Sequence, residues 1–136
     1  MEAGLLVAVA NFFLYFAVSI VFLIIFKVVY VRVTPHDEWD LIKEKRNLSA
    51  SIAFGGAILG FAIALAGAAS NSVSLFDFAT WGLIALAAQL IAFAIVRFSF
   101  MPGIVKRIED NELSAATILA VTNIAVGMLN AACMSY

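Results

Sequence analysis

Few side chains in this sequence could do chemistry, and most of them are amides. Asn11, Tyr15 and Ser19 fall at i, i+4 and i+8. Asn123, Gly127 and Asn130 fall at i, i+4 and i+7, and Gln89 shares a helical face with Gly82, Ala85 and Ala92. In an apolar bundle such stripes either bond one another as packing glue or line a path for an ion or small solute. Glue is the favoured reading. Gln89 is expected to meet Asn123 near mid-membrane, and Asn11 to meet Asn130 nearer one surface.

Other chemistries find no support. His36, Asp37, Glu38 and Asp40 cluster, but one His without a second nitrogen or sulfur ligand is a weak metal site. A solvated segment opening a helix is favoured there. A single His also excludes bis-His haem ligation within one chain. No nucleophile–base pair, phosphate-binding glycine loop or metalloprotease pattern is present. The expectation is therefore no catalytic residue, no metal, no cofactor and no enzyme. Carboxylates are missing from the middle of every apolar run, which argues against a proton-coupled transporter. Asp77, near one end of its run, reads as an acid at a helix N-terminus.

The elements that position these residues follow from composition. The chain has 136 residues, 65% hydrophobic and 12% charged, against ~45–50% and ~25% for a soluble domain. Apolar groups in that excess face lipid. Four runs are long enough to span as helices: Ala3–Val31, Ala50–Ala69, Leu75–Phe98 and Ser114–Met134. Helices satisfy their own backbone groups, as hydrocarbon requires. The first run would be ~43 Å long against a ~30 Å hydrocarbon core, so it should tilt or project past the cytoplasmic surface with Lys27 snorkelling. It exceeds a signal-peptide core and no small-x-small site follows it, so it is expected to be retained.

All eight Lys and Arg residues flank the first and third connections. The positive-inside rule puts loops 32–49 and 99–113 in the cytoplasm and both termini outside. The short polar connection Ser70–Ser74 closes an antiparallel hairpin. Thr34-Pro35 followed by Asp37 and Glu38 reads as a helix start. Trp39 and Ile42 would lie on the bilayer side of a short interfacial helix, with Lys43 at the same cytoplasmic interface and Asn47 as the helix breaker. Met101-Pro102-Gly103, followed by Ile104, Val105 and Ile108 among Lys106 and Arg107, repeats the theme. Net charge is −1, so no basic field invites nucleic acid. The lone Cys133 forms no intrachain disulfide.

Asn47-Leu48-Ser49-Ala50 aligns with Glu112-Leu113-Ser114-Ala115, and Pro35 and Pro102 precede matching amphipathic segments. This predicts two tandem units, 1–69 and 70–136, entering the membrane the same way. Gly56 and Gly60, extended by Ala64 and Gly67, form a small-residue stripe suited to close helix packing. Packing within the protomer is favoured over a protomer–protomer interface. In the second copy Ile58 and Leu65 become Asn123 and Asn130, while Gly56 and Gly60 become Val121 and Ala125. Any site beyond packing is expected where the fourth span faces the first and third.

The motifs Thr34-Pro35-His36-Asp37-Glu38-Trp39, Leu41-Ile42-Lys43-Glu44, Asn47-Leu48-Ser49-Ala50, Gly55-Gly56 with Gly60, Ser72-Val73-Ser74, Asp77, Trp81-Gly82, Gln89, Ile108-Glu109, Leu113-Ser114-Ala115-Ala116 and Val126 to Met134 cover nearly the whole chain. In them the sequence resembles the YjfL-like bacterial inner-membrane proteins, domain of unknown function 350. The resemblance implies four spans in two tandem units in a bacterial inner membrane, and it implies no activity. Arg46 and Glu112 stand where the resemblance leads one to expect Gly, which bears on the tightness of those two loops.

The chain is thus read as an all-α integral membrane protein with four transmembrane helices in two pseudo-symmetric two-helix units and short interfacial cytoplasmic helices. Its expected partners are the lipid bilayer, further copies of itself, and a cytoplasmic or membrane protein. The expected role is a non-enzymatic homo-oligomeric scaffold or accessory subunit in envelope homeostasis. The alternative is a small oligomeric channel or transporter.

Overall fold

The computed structural model describes residues 2–34 and 38–134. Six helices follow one another: α1 Glu2–Val33, α2 Glu38–Lys43, α3 Leu48–Asn71, α4 Leu75–Ile95, α5 Ile104–Glu109 and α6 Leu113–Cys133. A π-helical turn, Val96–Phe100, extends α4. Four of these helices are long and apolar enough to cross a membrane: α1, α3, α4 with its π turn, and α6.

Local chemistry sets the boundaries. Asn47 does not merely end α2; it caps α3, its Oδ1 accepting from Ala50 N at 2.8 Å. Ser74 caps α4 by accepting from Asp77 N, while an Asp77 carboxylate oxygen accepts from Val73 N at 3.0 Å. The two acceptors satisfy donors that a helix start leaves open. At the other end of α4, Met101 N bonds Val96 O at 2.8 Å before Pro102 stops the helix. The short helices α2 and α5 end in left-handed residues, Arg46 at φ 52° and Asn111 at φ 60°. Asn tolerates that region and Arg gains nothing there. A glycine preference at position 46 has this backbone as its cause. In the second loop the strained position is Asn111, and Glu112 is an ordinary extended residue at φ −84°.

The bundle is centred on α3, which buries Ala50, Ala53, Gly56, Ala57, Gly60, Phe61 and Ala64. α3 and α6 run parallel at backbone contact: Gly56 lies against Ala120, Gly60 against Asn123 and Gly127, and Gly67 against Ala131. α4 packs beside both. α1 runs antiparallel to α3 on the far side, joined by rings: Phe26 stacks on Phe61 at 4.6 Å, and Tyr30 meets Phe54 at 5.9 Å and Phe93 at 5.7 Å.

The ring contacts also fix where the surplus length of α1 goes. Tyr30, one turn from the end of α1, is level with Phe54 in α3, so little of α1 passes the basic-loop side. At the opposite end Tyr15 stacks on Phe78 in the first turn of α4 at 5.3 Å. Every side chain from Glu2 to Leu14 is exposed. The first ~20 Å of the helix therefore runs on without burial. The sequence reading put this surplus on the cytoplasmic side; aromatic packing puts it at the end away from the basic loops.

Candidate functional site

The interior polar groups lie along the α3–α6 seam, where glycine makes the room. A Cβ on Gly60 would sit 2.2 Å from Asn123 O and 2.9 Å from Gln89 Nε2, and one on Gly127 would sit 2.1 Å from Gly60 O. Nothing larger than hydrogen fits at either position. Gln89, fully buried on α4, reaches across this gap and donates Nε2 to the Asn123 backbone oxygen at 3.1 Å. Asn123, also fully buried, donates Nδ2 to Leu119 O at 3.0 Å. Asn130 donates to Ala85 O at 3.3 Å and sits 3.5 Å from Gln89 Oε1. Three of the four amides thus form one line of polar contacts through the bundle.

Asn11 does not join it. Its carboxamide lies on the unburied part of α1, a turn beyond Tyr15, and is exposed. Asn130 instead finds its partners on α4. Tyr15 is half-buried, its backbone oxygen accepting from Ser19 Oγ at 2.7 Å. α6 lies against α3 and α4 and meets α1 through Tyr30, so the second span joins the first and third around the region where a site was expected.

The polar line continues into residues that sequence reasoning passed over. Tyr30 is fully buried and its hydroxyl approaches the Asn123 side chain, though neither the hydroxyl nor Asn123 Oδ1 makes a hydrogen bond of standard geometry. Glu38, at the start of α2, is fully buried and acts electrostatically on that hydroxyl. Its neighbour Trp39 packs edge-on to Phe54 at 6.2 Å, about two turns inside α3. Glu38 was expected in a solvated cluster and is instead fully buried. α2 packs against α3, and Lys27 of α1 reaches over its Trp39 ring. The remainder of the proposed helix start, Pro35, His36 and Asp37, lies outside the described residues. One signal in the sequence did point to Tyr30: Phe22, Phe26 and Tyr30 recur every fourth residue, the stripe that α1 buries.

The seam glycines Gly56, Gly60 and Gly67 are occupied by α6 of the same chain, and Ala64 is fully buried beside them. Around the short helices, Trp39 is 41% exposed with Lys27 Nζ 3.9 Å from its ring centroid. Ile42 is half-buried, and Lys43 and Lys106 are exposed. Arg107 pairs with Glu112 and donates to Met101 Sδ at 3.1 Å. The two loops beneath the seam are tied together. Asn47 Nδ2 donates to Ile108 O at 2.9 Å and Glu109 O at 3.2 Å, and Asn111 Oδ1 accepts from Ser49 N at 2.9 Å. Between them lies a notch of about 430 Å³ lined by Lys45, Arg46, Glu109 and Asp110 among others. Among the described residues no group of three His, Cys, Asp or Glu side chains could hold a metal ion.

Comparison with known proteins agrees with this architecture. The family model described as Domain of Unknown Function (DUF350) matches residues 3–134. The UPF0719 inner membrane protein YjfL of Escherichia coli (strain K12) is 43% identical over 122 residues, 90% of this chain and 91% of that protein. The UPF0719 transmembrane protein YshE of Bacillus subtilis (strain 168) is 33% identical over 84 residues, 62% of each chain. No solved structure matches. With four spanning helices and relatives of these names, the chain is a multi-pass inner-membrane protein, and it belongs to the DUF350 family.

Proposed function

We infer that this protein is a non-enzymatic scaffold or accessory subunit of the inner membrane, acting in envelope homeostasis and self-associating there. It is built from two tandem pseudo-symmetric units, with α2 and α5 at the cytoplasmic interface and both termini outside. The observation that carries this reading is the closed interior. The seam has backbone contact at Gly60 and Gly127, and Gln89 and Asn123 are spent on bonds within the chain. The surface left to work with is external: Leu5, Leu6, Phe12 and Phe13 are each at least 60% exposed on α1, an apolar face that other membrane helices can pack against. The parallel α3–α6 seam supports the tandem repeat, since two copies related about the membrane normal bring equivalent helices together in parallel. Cross-linking in native membranes, followed by purification of the full chain in lipid, tests the function. A discrete oligomer or a stoichiometric membrane partner is expected; a monomer with no partner sinks the reading.

The line Asn130–Gln89–Asn123 supports a second reading, a small channel or transporter completed by oligomerisation. Flux of common ions and small solutes through protein-loaded liposomes decides it. Absence of any flux removes that reading and leaves the scaffold standing.

A further inference from the structure

We propose that the notch between the α2–α3 and α5–α6 loops binds a zwitterionic phosphate–ammonium ligand, the headgroup of an ethanolamine phospholipid. This goes beyond the scaffold reading and does not rest on it.

The notch has two walls of opposite charge. Lys45 and Arg46, between α2 and α3, line one; Glu109 and Asp110, at the end of α5, line the other. Opposite charges this close on a surface ordinarily collapse into ion pairs. Among the described residues none of these four takes part in one. The spacing of the walls is set by the bonds that brace the loops, Asn47 Nδ2 on Ile108 O and Glu109 O, and Ser49 N on Asn111 Oδ1. About 430 Å³ is left between them, a volume in the range of small-molecule sites. A ligand with an anion at one end and a cation at the other bridges such a gap. A simple anion or a simple cation would be repelled by the far wall.

The side chains suit the two ends of that ligand. A guanidinium fork matches phosphate bidentately, and a lysine beside it adds a point charge. Across the notch, a primary ammonium offers N–H donors to the two carboxylates; a trimethylammonium offers charge but no donor. Arg46 holds its place at φ 52°, in the left-handed region where glycine sits without strain and a longer side chain does not. A backbone outlier kept with its guanidinium on the notch points to a functional use of that side chain. The start of α3 is not the anion-binding element, because Asn111 and Asn47 already accept from Ser49 N and Ala50 N.

The position argues for a ligand borne by the membrane. α3 and α6 are spanning helices that begin beside the notch. Their first residues, Leu48 and Leu113, are both exposed. Apolar side chains there give acyl chains a surface that a free headgroup would leave uncovered.

Native mass spectrometry of the full chain in detergent tests the site. The probes are phosphatidylethanolamine, phosphatidylcholine and phosphatidylglycerol with identical acyl chains, offered in equal amounts. Phosphatidylethanolamine is expected to be retained over both others. Glu109→Gln with Asp110→Asn should erase its preference over phosphatidylcholine, a change of about tenfold for the loss of a charge-assisted hydrogen bond. Arg46→Gly should weaken retention by a similar factor while leaving unfolding stability equal or higher, since it relieves the left-handed residue; this separates lost binding from lost folding. Phosphoethanolamine without acyl chains, added at the same concentration, should leave the lipid in place; displacement would assign the site to the free compound and overturn the lipid source. Equal retention of the three lipids overturns the proposal. So does a preference for phosphatidylglycerol, which a merely basic surface would show, or a phosphatidylethanolamine preference that survives both sets of substitutions.

Discussion

Gly60 shows how much one missing methyl decides. Its neighbour at 2.2 Å from a built Cβ is the Asn123 backbone oxygen, which cannot rotate away as a side chain could. Gly60→Ala must push α3 and α6 apart, and overpacking of this kind costs about 1–3 kcal/mol. Gly55, the adjacent residue, has nothing within 4 Å. Equilibrium unfolding in mixed micelles should therefore show a large loss for Gly60→Ala and almost none for Gly55→Ala. Equal losses at the two positions would mean that the seam is not the close contact described. The small-residue stripe was legible in the sequence because spacing alone reports a face. Which surface occupies that face was not, since an intramolecular helix and a second protomer would demand the same glycines.

The elements differ in how far the sequence disclosed them. The four long helices follow from run length, and their caps from Asn47 and Ser74. α2 was legible as a short helix, yet its seat against α3 was not, because no local signal reports which neighbours an amphipathic segment packs on. That seat is set by contacts from distant parts of the chain, such as Trp39 on Phe54. The depth register of α1 was hidden for the same reason. Asn11 looked like a match for Asn130 only while both ends of α1 were free to slide. Asn47 joins two elements at once, capping α3 and bonding the α5 end through Ile108 and Glu109. Asn47→Ala should lower stability by at least ~1 kcal/mol, and Asn47→Asp, which keeps the cap but loses the donor, should recover part of it. The first stretch of α1 behaves in the opposite way. Deleting residues 2–12 removes only exposed side chains, so the unfolding free energy should stay within about 0.5 kcal/mol of the full chain. Under the scaffold reading the same deletion should abolish oligomer or partner capture.

At the scale of the whole molecule, eight cations on one side predict both termini outside. Cys133 is the one cysteine and it is exposed near the end of α6. A membrane-impermeant maleimide added to intact spheroplasts should label it without prior lysis. Labelling that requires lysis would invert the topology, and with it the assignment of α2 and α5 to the cytoplasm.

The unburied start of α1 has a further consequence for the surrounding lipid. One flank of the protein offers an apolar helix 32 residues long, while the others offer spans of 21–26 residues. Bilayer matched to the shorter helices is too thin beside α1, and bilayer stretched to cover α1 is too thick beside the rest. The annulus must change thickness around the perimeter, at fractions of a kcal/mol for each ångström of mismatch. Molecules that bring their thick flanks together share a single deformed patch instead of each maintaining its own. Lipid elasticity alone then draws copies into contact along α1, and short-chain lipids should strengthen that tendency while long-chain lipids relax it.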